Sequence, residues 1–272
     1  MRNASAMTQP DTKTPDPGGR MPALFVGHGS PTNAIDDGEF SRAWAEMGQA
    51  LPRPSAILCI SAHWETAGTR VTAMESPKTI HDFSGFPQAL FDVQYPAPGS
   101  PELARLACAI LRKTEVRLDH EWGLDHGTWS VLRRMYPGAD IPVVQLSLDR
   151  RQEPEAHYEL GRDLRSLRNQ GVLILGSGNI VHNLGQIVWQ DTAYDWATEF
   201  DETMRRLVAS GDHDSIMHYQ RLGRAARLAV PTNEHFLPLL YILALQEKQD
   251  EVAFFTEKVT LGSISMRSLR IG

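Results

Sequence analysis

Three apolar runs set the rhythm of the chain: Ala23-Leu24-Phe25-Val26, Ala56-Ile57-Leu58-Cys59-Ile60 and Val172-Leu173-Ile174-Leu175. None alternates with polar residues, which predicts strands buried on both faces, as in a largely parallel sheet. Between them, apolar positions fall at helical spacing. Residues 37–50 place Phe40, Trp44 and Met47 on one face, and residues 155–169 turn Leu160, Leu164 and Leu167 inward ahead of a C-terminal Gly171. A helix over 101–113 starts behind a Ser100 cap with Pro101 in its first turn, and Thr232 caps a helix expected over 233–246. Residues 70–74, 116–118 and 143–148 predict further strands. A loop at 123–129 enters a helix ending near Tyr136, helices fill much of 194–229, and 252–271 alternates as one or two strands turning near Gly262. Strands and helices alternate without a repeat or a splitting linker, so the expectation is a single α/β domain with a mixed central sheet flanked by helices.

Two segments stand outside this rhythm. Residues 1–20 are polar, rich in Pro, Thr and Asp, and lack the apolar core of a signal peptide, so they are expected to form a flexible leader. Residues 76–101 form a long connection whose Phe83, Phe86, Phe91 and Tyr95 argue against disorder. Those aromatics suit either the wall of a pocket or the packing of the loop onto the core.

Composition removes several function classes. The 272 residues carry a formal charge of −6 and no basic run, which gives nucleic acid no footprint and an anionic membrane surface no partner. The most apolar stretch, 236–245, is too short to cross a bilayer. The two cysteines, Cys59 and Cys108, have no metal-type spacing and suit free thiols in a reducing cytoplasm. No glycine-rich phosphate loop follows a strand.

The chemistry is carried by histidines, of which there are ten. His28 and His63 each follow an apolar strand, where ligands bind in open α/β sheets, and Gly27 and Gly29 allow close approach at the first. His182 follows the third strand, His126 lies in Asp125-His126-Gly127, and His235 sits early in the helix behind Thr232. A helix start disfavours imidazolium, and neutral imidazole is what a metal binds. Either His235 or its neighbour Glu234 could serve there. His157, His120, His213 and His218 have the character of surface or core histidines, and His81 is undecided. Several neutral imidazoles with at most one carboxylate suit one divalent ion such as Fe(II) or Zn(II), rather than calcium or magnesium.

At motif level the chain resembles the 4,5-DOPA extradiol dioxygenase family of LigB-type ring-cleavage enzymes. The matching stretches run in order: Met21 to Pro31, Ser61-Ala62-His63-Trp64, Thr79 to Pro87, Tyr95 to Ser100, Gly123 to Gly127, Gly178 to Asn183, Glu234 to Leu239 and Gly262 to Met266. The resemblance implies a LigB-like catalytic domain over residues 21–272 with one mononuclear, non-haem metal, Fe(II) for activity and Zn(II) as a further occupant. It implies His28, His63 and His235 as ligands, and His182 as catalytic histidine that in zinc-loaded members closes a fourth coordination position. His126 becomes a second active-site histidine. The implied partners are a small catechol such as DOPA and O₂, in a cytoplasmic monomer or small homo-oligomer. Two rival functions use the same residues: a zinc-dependent hydrolase, and a non-catalytic metal- or small-molecule-binding protein.

Overall fold

The computed structural model describes residues 19–272. Its strands are β1 (Ala23–Gly27), β2 (Ala56–Thr66), β3 (Thr69–Thr72), β4 (Val116–Asp119), β5 (Val143–Asp149), β6 (Val172–Gly178), β7 (Val252–Phe255), β8 (Val259–Thr260), β9 (Ile264–Ser265) and β10 (Ser268–Ile271). The helices are α1 (Glu39–Ala50), α2 (Gln88–Phe91), α3 (Pro101–Ile110), α4 (His126–Met135), α5 (Pro154–Asp163), α6 (Asp195–Ser210), α7 (His213–Met217), α8 (Arg224–Ala229) and α9 (Leu237–Ala244).

Eight strands form one sheet in the order β4-β3-β5-β2-β6-β1-β10-β7, and β8 pairs with β9 separately. The centre, β5-β2-β6-β1, is parallel; β10 and β7 add antiparallel strands at one edge, and β3 joins β5 antiparallel at the other. The mixed sheet follows the expectation. Successive residues of the central strands enter opposite cores. Ala23, Phe25, Leu58 and Ile174 pack beneath α3, α5, α6, α8 and α9, while Leu24, Val26, Ile57 and Leu173 pack against Trp44 of α1 and Trp129 of α4. Helices therefore cover both faces, which is why the strands are apolar throughout. Cys59 and Cys108 are free thiols and belong to opposite cores.

Several boundaries move. β2 runs past Ser61 to Thr66, so His63 lies within a strand rather than in the loop after it; the pairing with β5 shifts register between Ile60 and Glu65. The stretch 155–169 splits into α5 and a 3-10 turn, Leu164–Gln170, closed by Gly171 at φ 75°. The helix expected from 233 begins only at Leu237, so His235 lies in the preceding turn. Its carbonyl accepts from the Asn179 N–H at 2.8 Å and is spent on β6 rather than on a helix. Pro238 adds no N–H to help. Gly27 borders the Met266 backbone, where a Cβ would come within 2.7 Å, so its small size serves packing against the tail rather than a ligand.

The leader expected over residues 1–20 falls outside the described residues except for Gly19 and Arg20. The Arg20 guanidinium ion-pairs with Glu247 and Asp250. Among the described residues no helix is long and apolar enough to cross a membrane.

Candidate metal centre

Register brings the histidines together. Ser177 of β6 lies opposite Val26 of β1 and Ser61 of β2, so the ends of β1 and β6 come level with the middle of β2, just before His63. His28 is a residue beyond β1, and its N–H donates to the Gly178 carbonyl at 3.1 Å. A Cβ on Gly178 would fall 2.1 Å from the His235 carbonyl oxygen, so the α9 turn comes this close only over glycine. Gly127 does the same for α4, where a Cβ would meet Ser61 Oγ at 2.5 Å and the His63 ring at 2.9 Å.

The ring centroids of His28, His63 and His235 form a near-regular triangle, 5.0, 4.9 and 5.3 Å on a side. His126 lies 3.9 Å from His63, and His182 stacks on His235 at 3.4 Å with 7° between the planes. Ligating atoms of His28, His63 and His126 lie within 4.8 Å of one another, as do those of His182, Glu234 and His235. All five expected site histidines thus occupy one cluster. The remaining ones lie elsewhere: His157 bonds Tyr241, His213 bonds Tyr158, and His218 pairs with Glu155. His81, undecided from sequence, is within hydrogen-bond distance of the Val93 carbonyl at 2.9 Å and packs the loop.

The hydrogen bonds fix which nitrogens are free. Ser177 spends its hydroxyl proton on the Gly127 carbonyl at 2.6 Å, so it accepts from His28 Nδ1 at 3.0 Å. His28 Nε2 is therefore left with a lone pair. Glu234 Oε1 faces His235 Nδ1 at 3.0 Å and also accepts from Thr232 Oγ1, leaving His235 Nε2 free. Asp82 Oδ2 lies 3.3 Å from His63 Nδ1. The His63 Nε2 lies 3.1 Å from that of His28, where the two nitrogens can share one proton or one ion. Two nitrogens bound to one ion at about 2.1 Å would sit about 3.0–3.4 Å apart, so this spacing fits a shared cation. A held Nδ1 with a free Nε2 is the usual arrangement of metal-binding histidine.

Electrostatics agree. Burial, reinforced by neighbouring imidazoles, holds His28 and His235 well below the ordinary histidine range. Burial with His126 brings His63 down to about 3 and His182 to about 4. These rings are neutral near pH 7 and able to bind a cation. Burial pushes Asp82 up, but His126 and His63 outweigh it and hold the carboxyl below its usual range.

A hollow of 430 Å³ reaches the cluster at His63, bordered by Trp64, Glu65, Lys78 and Trp122. Phe83, from the long loop, stands edge-on to His126 at 5.5 Å while also packing on Phe86, Phe91 and Trp129, so it both borders the site and anchors the loop. Sequence reasoning missed three polar supports. Asp82 was only a motif letter beside His81, and Ser177 looked like a turn residue. Asp125, fully buried, accepts from Ser61 Oγ at 2.7 Å, Gln145 Nε2 at 2.7 Å and the Thr128 N–H at 3.1 Å, which caps α4. A polar residue at the end of an apolar strand, as at Ser61 and Ser177, was the available signal.

Comparison with known proteins places this geometry. The family model for the catalytic LigB subunit of aromatic ring-opening dioxygenase matches residues 22–269. A protein of Escherichia coli K12 named 4,5-DOPA dioxygenase extradiol is 49% identical over 260 residues, covering 93% of this chain and 95% of its own. A Beta vulgaris protein of the same name is 40% identical, covering 79% of this chain and 83% of its own. The crystal structure of an uncharacterized Escherichia coli K12 protein superposes with a TM-score of 0.82 at 42% identity, covering 93% of this chain and all of the other. The chain belongs to the LigB family of aromatic ring-opening dioxygenases.

Proposed function

We propose that this family member cleaves the ring of a catechol such as DOPA in extradiol fashion, using O₂ and one divalent metal held by His28, His63 and His235. The observation that carries the reading is the triangle of three neutral imidazoles, each with Nδ1 beside an acceptor, and with Nε2 of His28 and His63 only 3.1 Å apart. The relatives named for DOPA cleavage supply the substrate class. Iron held by these residues would supply the redox chemistry that zinc lacks.

The chain's own groups supply the rest. His182 is neutral near pH 7 and takes a catechol proton on its ring. Its stacking on His235 supports that role over a ligand role. An ion on a ring lone pair lies in the ring plane, and near-parallel planes 3.4 Å apart share no such point. His126, behind the Asp125 cap at the start of α4 and 3.9 Å from the His63 ring, orients or protonates the substrate. Phe83 limits water at His126, and the hollow at His63 receives the substrate's polar tail.

The test is anaerobic loading of metal-free protein with Fe(II) or with Zn(II), followed by DOPA and air. Oxygen uptake with a coloured ring-opened product is expected with iron alone. No uptake with either metal across several catechols would overturn the reading.

A further inference from the structure

Between His63 and His126 lies a single carboxylate delivered by the long loop. Asp82 Oδ2 is 3.3 Å from His63 Nδ1, and Oδ1 is 3.0 Å from His126 Nδ1. Oδ1 also accepts the backbone N–H of His126 at 2.9 Å, which pins the oxygen over the first residue of α4. Neither ring contact is aligned as a hydrogen bond, and among the described residues no other group bonds the buried His126 Nδ1. The Asp82 side chain is 17% exposed, so water does not replace it freely at either ring.

We propose that Asp82 is a positioning residue that sets the tautomer and orientation of His63 and His126 together, so that one loop carboxylate couples the metal ligand to the second active-site histidine. The inference rests on the ligand and active-site roles proposed above. Its physical basis is the donor and acceptor inventory. A carboxylate accepts on both oxygens, so both rings keep Nδ1–H toward it and turn Nε2 toward the site. Asparagine has one acceptor and one donor group, so its amide would face an N–H at one ring and drive that ring to the other tautomer. Such outer carboxylates raise the basicity of the ring they hold and fix its angle. The plainer alternative is that Asp82 only anchors the loop, through the His126 backbone N–H.

Asp82→Asn separates the two. Three quantities are to be measured on the full chain: the tautomers of the metal-free histidines by long-range ¹H–¹⁵N NMR, Zn(II) and Fe(II) affinity by chelator competition, and turnover per bound iron. Asp82→Asn is expected to change the tautomer of His63 or His126, to weaken metal binding about 10–100-fold, and to lower turnover of the sites that remain loaded. Asp82→Glu, which keeps both acceptors on a longer arm, is expected to restore most of the metal affinity and serves as second variant if the asparagine protein misfolds. Unchanged tautomers and wild-type affinity in Asp82→Asn, or equal behaviour of the two variants, would overturn the proposal. Wild-type protein that binds metal yet consumes no oxygen with any catechol would overturn the functional reading alone, since the tautomer and affinity measurements still decide the role of Asp82.

Discussion

At the start of β1, the Met21 carbonyl accepts from Arg168 Nε at 2.7 Å; at its far end, His28 meets three other imidazoles. Both ends bury polar groups, and they treat them in opposite ways. Arg168 is fully buried and spends its remaining N–H groups on the Leu245 and Ile271 carbonyls and on Asp250, at 2.8–3.1 Å. Every guanidinium nitrogen there has an acceptor, as a buried charge requires. At the histidine end the Nδ1 side is similarly supported, but on the Nε2 side the partner of His28 is only another ring nitrogen, that of His63. One end is a closed polar knot that ties β1, β10 and the α9 exit together. The other is open, and the ion that would complete it comes from outside the chain. The two ends teach how to tell a structural polar cluster from a functional one: count the valences left over.

The contrast predicts that removing a side chain at the open end costs chemistry, while removing one at the closed end costs the fold. The largest effect is expected for His182→Ala: turnover per bound iron should fall about 10²–10⁴-fold, the range for loss of a general base. Metal affinity should stay within a few-fold, and equal loss of metal in that variant would move His182 into the ligand set. Next comes Arg168→Met, which leaves Asp250 and three carbonyls without their partner and should lower the unfolding free energy by about 3–5 kcal/mol in urea titrations. A change under about 1 kcal/mol would show that Arg20, which also reaches Asp250, compensates. His63→Ala should weaken Zn(II) binding by more than the about 10–100-fold expected from losing an outer partner, with little change in the stability of the metal-free protein.

The smallest effect is a pH slope, and its sign follows from the lowered histidines. Unfolded imidazoles take up protons below about pH 6.5, whereas the folded His182 and His157 resist until about 4 and His63 until about 3. The unfolded state therefore binds more protons in that window, and the metal-free protein loses stability as pH falls from about 6.5 toward 4. Each such histidine contributes at most about 1.4 kcal/mol per unit. Arg168 adds nothing across this range because a guanidinium stays charged. Urea titrations of metal-free protein at pH 7 and 5 measure the slope, and His157→Gln should flatten it without touching the metal site.

Much of this was legible in the chain. The unbroken apolar runs at 23–26, 56–60 and 172–175 announced strands covered on both faces, and the histidines beyond them announced their meeting point. Element ends were harder to place, for reasons specific to each. His63 extends its strand because β2 slips register against β5 and continues to Thr66, which no local pattern encodes. His235 stays outside α9 because its carbonyl is claimed by Asn179, a residue 56 positions away in sequence (235 − 179). Ser177 was signalled only by its place at the end of an apolar run, and the roles of Asp82 and Asp125 not at all, because such a residue acquires its role only when a distant group arrives beside it.

The central claim is that His28, His63 and His235 hold one ion while His182 stands beside it unbound. An anomalous difference map of the Fe(II)-loaded crystal, recorded at the iron edge, tests it most directly. The account predicts one peak bonded to the Nε2 atoms of those three rings, with the His182 ring free. A peak on His28, His63 and His126, or one bonded to Glu234 or His182, would contradict it.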